Sequence, residues 1–211
     1  MFGNNVERFL PGAYIQYVRF AGKGRGGEIL REYKFSGFHP RPGAVQRRAH
    51  HAGRPVGKSG HGVVGAALDS PWSRVELISD GIHVHPAVVR ATFKMFGPDR
   101  VILISDTMRA AGMSDGKYDL GGQEVTVKGP LATLADGTIA GSATDLMACL
   151  KRAVSFGIPL ADAVRGAAVN SAKAIGIFDR VGSLEPGKRA NVVVLDENLD
   201  VKAVFFKGQK V

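Results

Sequence analysis

The 211-residue sequence predicts an α/β fold of parallel βα units followed by a small β-rich module. Two observations carry that prediction. Arg74-Val-Glu-Leu-Ile-Ser-Asp80 recurs 26 residues later as Arg100-Val-Ile-Leu-Ile-Ser-Asp106, and each copy is a short apolar run of the kind that suits a strand buried on both faces. Between the copies, residues 86–97 have the spacing of an amphipathic helix, with Pro86 in its first turn and Gly97 at its end. Val88, Val89, Thr92, Phe93 and Phe96 form its apolar face. A right-handed crossover through that helix makes the two strands parallel neighbours.

The remaining elements follow in order. Residues 1–35 mix apolar and basic residues, with a loop at 22–27. Residues 36–61 are rich in Gly, Pro, Arg and His, show neither helical nor strand period, and read as a linker or disordered basic segment. Regular texture begins at Gly62. After Asp106, residues 121–128 and 131–140 predict short antiparallel strands, with Asp136-Gly137 as a turn. Ser142 is expected to open an amphipathic helix reaching Phe156, with Asp145 giving a start like a capping box. A second helix follows Pro159 and runs to about Ile175. Residues 190–196 and 202–207 predict two more strands.

Charge divides the chain in the same place. The formal net charge is +9, yet residues 1–60 hold eleven Lys or Arg against Glu7, Glu28 and Glu32, so the remainder is almost neutral. A basic head of this kind can bind phosphate backbones non-specifically, and Phe9, Tyr14, Tyr17, Phe20 and Tyr33 could stack on bases. A non-catalytic nucleic-acid-binding protein acting through residues 1–60 is therefore the alternative reading. The hydrophobic fraction of 45% is ordinary for a globular chain. No apolar run is long enough for a membrane span, and Glu7 and Arg8 interrupt the place of a secretory apolar stretch. A cytoplasmic protein without membrane partners is expected. Cys149 is the single cysteine, which excludes an internal disulfide and a cysteine-held zinc.

In parallel α/β folds ligands bind beyond the C-terminal ends of the strands. Both Ser-Asp pairs fall there, and Asp80-Gly-Ile-His83-Val-His85 adds two imidazoles to the same rim. Carboxylate and imidazole together suit acid–base work or ligation of a water-activating metal. An aspartate after a strand is also a common turn former, so spacing alone leaves both roles open. Residues 139–142, read as opening a helix, are either a cap or a backbone site for a polar ligand. Arg109 is either an anion contact or a solvated loop charge. Met147 and Cys149 read as packing residues.

Five stretches resemble the N-acetylglucosamine-6-phosphate deacetylases of the amidohydrolase superfamily: GVVGAALDSP at 62–71, VELISDGIHVHPAVVRATFKMFG at 75–97, ILISDTMRAAGM at 102–113, LADGTIAGSA at 134–143 and SLEPGKRANVVVLD at 183–196. The resemblance implies a TIM barrel with a small β-sandwich, of which this chain carries the C-terminal portion: the last βα units and some sandwich strands. It implies hydrolysis of the N-acetyl group of N-acetylglucosamine 6-phosphate to glucosamine 6-phosphate and acetate. Asp106 resembles the catalytic carboxylate that deprotonates a metal-bound water and then protonates the departing amine. His83 resembles the histidine that contacts the phosphorylated sugar, and Ile139, Ala140 and Gly141 resemble the backbone segment lining the sugar pocket. His85 matches no family role. A divalent metal (zinc, iron or manganese), a small sugar-phosphate substrate and a homodimer are likewise implied.

The departures are as specific as the matches. The family's metal ligands lie upstream of the matching region, one of them in a His-Leu-Tyr-Asn-Ala-like motif that residues 36–61 do not spell. His50 and His51 stand in the wrong context, and Lys58 and His61 are poor substitutes for an expected arginine. No metal ligand is therefore assigned. A TIM barrel needs about 250 residues. Ala44-Val-Gln-Arg47 can be encoded so that a one-base shift reads Leu-Tyr-Asn-Ala. Residues 1–61 are accordingly expected to be a basic segment, poorly structured or translated out of frame, ahead of a partial barrel over 62–211.

Overall fold

The computed structural model describes residues 14–24, 27–37 and 62–211. The 26-residue repeat becomes a pair of parallel strands, β3 (Arg74–Ile78) and β4 (Val101–Ile104), with Val75 opposite Val101 and Ile78 opposite Ile104. The repeat length is thus the pairing register. Val75, Leu77, Val101 and Leu103 lie on one face; Ile78 and Ile102, on the other by strand alternation, are buried too. Burial on both faces accounts for the continuous apolar runs.

Ahead of this pair, β1 (Tyr14–Gly24) and β2 (Gly27–Gly37) form an antiparallel hairpin, and β1 continues the sheet antiparallel to β3, with Phe20 opposite Val75. For residues 14–24 and 27–37 this corrects the irregular N-terminal region expected from sequence. Tyr14, Ile15, Tyr17, Val18 and Phe20 are strand-favouring residues, and a neighbouring β3 edge gives them something to pair with. The shifted-frame motif at 44–47, together with His50, His51, Lys58 and His61, lies outside the described residues.

Helix α1 (Gly62–Leu68) leads into β3, and α2 (Pro86–Phe96) crosses from β3 to β4. His85 caps α2 through its side chain, and the Gly97 N–H closes it on the Phe93 carbonyl. The predicted helix face is the buried one: Val89, Thr92, Phe93 and Phe96 are buried, and Val88 packs against the same core. Each large apolar side chain so buried contributes about 1.5–3 kcal/mol.

Arg100, in the turn before β4, ties these pieces together. Its guanidinium donates to the carbonyls of Ala67, Leu68, Ser70 and Ser73, the last at 2.8 Å, which ties down carbonyls at the end of α1 and in the turn that follows it. The same group lies 5.1 Å from the Phe96 ring centroid. Arg100→Met, which keeps the stem and removes the donors, is expected to lower stability by about 2 kcal/mol, read as a lower urea midpoint.

After β4 the chain builds a second, antiparallel sheet: β5 (Gly116–Leu120), β6 (Gln123–Lys128), β7 (Leu131–Thr133) and β8 (Ile139–Ser142), paired in that order. Its core is Met108, Ala110, Val125, Val127, Ala132 and Ala140. Here the sequence reading needs a second correction. Ser142 ends β8 instead of opening a helix; α3 (Leu146–Ser155) begins later, capped by the Asp145 carboxylate accepting from the Ala148 N–H at 2.7 Å.

The helix predicted after Pro159 is continuous from α4 (Leu160–Val164) through a π turn (Arg165–Val169) into α5 (Asn170–Ala174). Gly166 lets this helix approach β4 closely, since a Cβ there would sit 3.3 Å from both the Leu103 side chain and the Val101 carbonyl. Beyond the π turn, buried Asn170 donates to the carbonyls of Pro98 and Val101, each at 2.7 Å. The chain ends in β9 (Val192–Leu195), β10 (Val201–Phe206) and β11 (Gln209–Lys210), a small antiparallel sheet. No helix among the described residues is long and apolar enough to cross a membrane.

Candidate active site

Because β3 and β4 are parallel, both Ser-Asp pairs leave the sheet at the same edge, in equivalent register positions. Their surroundings differ completely. Asp80 is 5% exposed and its carboxylate is fully engaged: Oδ1 accepts from the Ile82 and His83 N–H groups, and Oδ2 lies 2.7 Å from His83 Nδ1. Burial alone would raise the Asp80 pKa; the hydrogen bonds and charge interaction with His83 outweigh it and hold the carboxyl below its usual range. His83 is itself buried.

Asp106 is exposed. No described residue engages its carboxylate in a hydrogen bond or ion pair. Its backbone is left-handed, at φ 49°, a region that non-glycine residues enter rarely and mostly as Asn or Asp. The neighbouring segment over-determines that conformation. The Asp106 carbonyl accepts from Ser142 N–H at 3.2 Å, Met108 N–H donates to the Ser142 carbonyl at 2.8 Å, and Thr107 Oγ1 donates to the Thr144 carbonyl at 2.7 Å. A parallel bridge joins Thr107 to Ser142. Strain that is held in this way commonly marks a functional position.

The same bonds bring Asp106 to Ser142 at the end of β8, the strand that also carries Ile139, Ala140 and Gly141. Gly141, at φ 80°, leaves the Met108 side chain as its near neighbour. Thr107, Ser142 and Thr144 were not readable from the sequence as a group that fixes Asp106; only the small polar run after Gly141 hints at it. His85 serves as the α2 cap, its Nδ1 accepting from the Ala87 N–H. Arg109 is exposed and 3.8 Å from Asp119, so the anion-contact reading finds no support in its position.

Behind the rim, Ser79 Oγ donates to the Cys149 carbonyl at 2.8 Å, joining the end of β3 to α3. Cys149 is fully buried, and burial is the main cause that pushes its thiol pKa up to about 11. The expected result is that an alkylating reagent leaves folded protein unmodified at neutral pH and labels it once denaturant is added, measured by intact mass.

The C-terminal 151 residues match the family described as "Amidohydrolase family" over positions 61–211. The chain belongs to the amidohydrolase family. A protein of Escherichia coli strain K12, named provisionally as an N-acetylgalactosamine-6-phosphate deacetylase, is 41% identical over 149 residues, which are 70% of this chain and 89% of that one. The N-acetylglucosamine-6-phosphate deacetylase of Bacillus subtilis strain 168 is 40% identical over 148 residues, 70% of this chain but 37% of the relative. A solved structure of the N-acetyl-D-glucosamine-6-phosphate deacetylase of Mycobacterium smegmatis, a mutant in complex with N-acetyl-D-glucosamine-6-phosphate, is 41% identical with a TM-score of 0.65, covering 69% of this chain and 39% of that one. The chain thus spans under two fifths of the Bacillus relative's length and about two fifths of the Mycobacterium chain.

Amidohydrolases generally depend on a divalent metal. Among the described residues no three His, Cys, Asp or Glu side chains come together in a way that could hold one. Asp80 has given both oxygens to backbone and imidazole, and His83 has given Nδ1 to Asp80. That leaves the Asp106 carboxylate and His83 Nε2, and two such atoms do not make up the three or four protein ligands of a zinc site. The described residues do not fit the metal.

Proposed function

We propose that this amidohydrolase chain carries the catalytic carboxylate and part of the sugar pocket of a deacetylase that hydrolyses N-acetylglucosamine 6-phosphate to glucosamine 6-phosphate and acetate. The observation that carries this reading is the exposed Asp106, held in a left-handed conformation at the end of β4 and stitched to Ile139–Ser142. In this reading Asp106 takes a proton from the attacking water and returns it to the sugar nitrogen as the tetrahedral intermediate collapses and the C–N bond breaks. His83 contacts the phosphorylated sugar, and Ile139, Ala140 and Gly141 line the pocket. β3 and β4 correspond to the last two strands of a TIM barrel, and β9–β11 to strands of a small β-sandwich. The protein is cytoplasmic, and the family it resembles is metal-dependent and homodimeric.

Because the described residues do not fit a metal, the 211-residue chain by itself is expected to turn over slowly or not at all. The test is acetate release from N-acetylglucosamine 6-phosphate and its galactosamine epimer, with zinc, iron or manganese added. Metal-dependent release that disappears in Asp106→Asn supports the reading and assigns ligands to residues 1–61. Release that is equal in the variant overturns the role of Asp106. Folded protein that neither turns over nor binds glucosamine 6-phosphate overturns the pocket assignment. The alternative of a nucleic-acid-binding head rests on residues 1–60, and none of the relatives named above bears a nucleic-acid-binding name.

A further inference from the structure

Asp80 is left unused by the reaction just described, yet it is the most completely bonded carboxylate at the rim. We propose that Asp80 is a positioning residue that holds His83 as its Nδ1–H tautomer, so that an unprotonated Nε2 faces the ligand. The inference rests on the deacetylase reading only for what the ligand is: a neutral ring with a bare Nε2 complements a hydrogen-bond donor, and on a sugar that donor is a hydroxyl.

The argument is one of donor and acceptor counting. An ionised carboxylate can only accept, and the Asp80 carboxyl is held below its usual titration range. Its Oδ2 lies 2.7 Å from His83 Nδ1, so that nitrogen must carry the hydrogen. The ring has one hydrogen when neutral, which leaves Nε2 as the acceptor. No described residue supplies a hydrogen bond to Nε2.

The other oxygen makes the assignment testable. Oδ1 accepts two backbone N–H groups, from Ile82 at 2.9 Å and from His83 at 3.0 Å. Only an oxygen satisfies that position. In Asp80→Asn the amide oxygen is therefore held there, and the amide nitrogen must take the place of Oδ2. It then donates to Nδ1, and the ring hydrogen has to move to Nε2. A conservative exchange that keeps the turn inverts the face that His83 presents. Loss of catalysis through a wrong histidine tautomer is known for the buried aspartate of the serine-protease triad.

The experiment is a long-range proton–nitrogen correlation on the full 211-residue chain with nitrogen-15 histidine, at a pH where the imidazoles are neutral. His83 is assigned by its absence from the spectrum of His83→Gln. The wild-type ring is expected to show a protonated Nδ1 and a bare Nε2, and Asp80→Asn the reverse. A wild-type Nε2–H tautomer, or a folded Asp80→Asn that keeps Nδ1–H, overturns the proposal. Should the variant fail to fold, the wild-type spectrum decides by itself. No substrate is present, so a chain that fails the acetate-release test leaves this result standing, and a wrong tautomer leaves the deacetylase reading standing.

Discussion

Where added metal supports any acetate release from N-acetylglucosamine 6-phosphate, Asp106→Asn is expected to lower it by at least about 100-fold, the lower end of what a positioned acid–base group contributes. Its folding midpoint should not move. The carboxylate is exposed and engaged by no described residue, so removing its charge breaks no structural bond. Asparagine is also the right probe for the backbone: at φ 49° it tolerates the left-handed region nearly as well as aspartate. Alanine would add about 1–2 kcal/mol of backbone strain and confuse lost chemistry with a displaced loop. The measurement is the ratio of acetate release rates at saturating substrate, beside thermal midpoints of both proteins. A fall in rate with an unchanged midpoint assigns the loss to chemistry.

Gly182→Ala should produce the largest loss of stability, about 3 kcal/mol when strain of about 1–3 kcal/mol is combined with overpacking of similar size. Gly182 stands at φ 98°, and a Cβ there would lie 2.8 Å from Ala172 Cβ and 3.2 Å from both the Ala168 carbonyl and the Phe178 ring. None of these is the free end of a flexible chain. Gly176→Ala is the matched control: its φ is 71° and a Cβ meets nothing within 4 Å, so only the backbone cost of about 1–2 kcal/mol remains. Urea unfolding of both variants gives the packing contribution as their difference. Equal losses would mean that the 177–190 segment does not press on the helix.

What the sequence made legible is what is local or repeated. The β3–α2–β4 unit could be read because its strands are copies whose offset is the register, and because Pro86 and Gly97 mark the helix ends. β5 was missed because Tyr118 and Leu120 are its only large apolar residues. The fate of Ser142 was decided by a bridge to Thr107, thirty-five positions earlier, which no local pattern encodes. The site shows the same limit. Asp80 and Asp106 both end an Ile-Ser-Asp run, yet one is followed by Gly81 at φ 80°, which turns the chain so that Ile82 and His83 cap the carboxylate. The other takes the left-handed conformation itself, and no described residue engages its carboxylate. Identical letters gave a buried, fully bonded carboxylate and an exposed one that no described residue engages, because the difference lies in which residue absorbs the turn.

The π turn at Arg165–Val169 works as a gear with one extra tooth. It takes up one more residue than an α turn would, which advances everything after it by roughly 100° around the helix axis. That advance is what delivers Asn170 to the Pro98 and Val101 carbonyls. A helical wheel drawn through residues 160–174 at constant pitch therefore misassigns the second half. Deleting a single residue from this stretch would perfect the helix while turning Asn170 off its carbonyls, so the more regular helix would be the worse fit to the sheet.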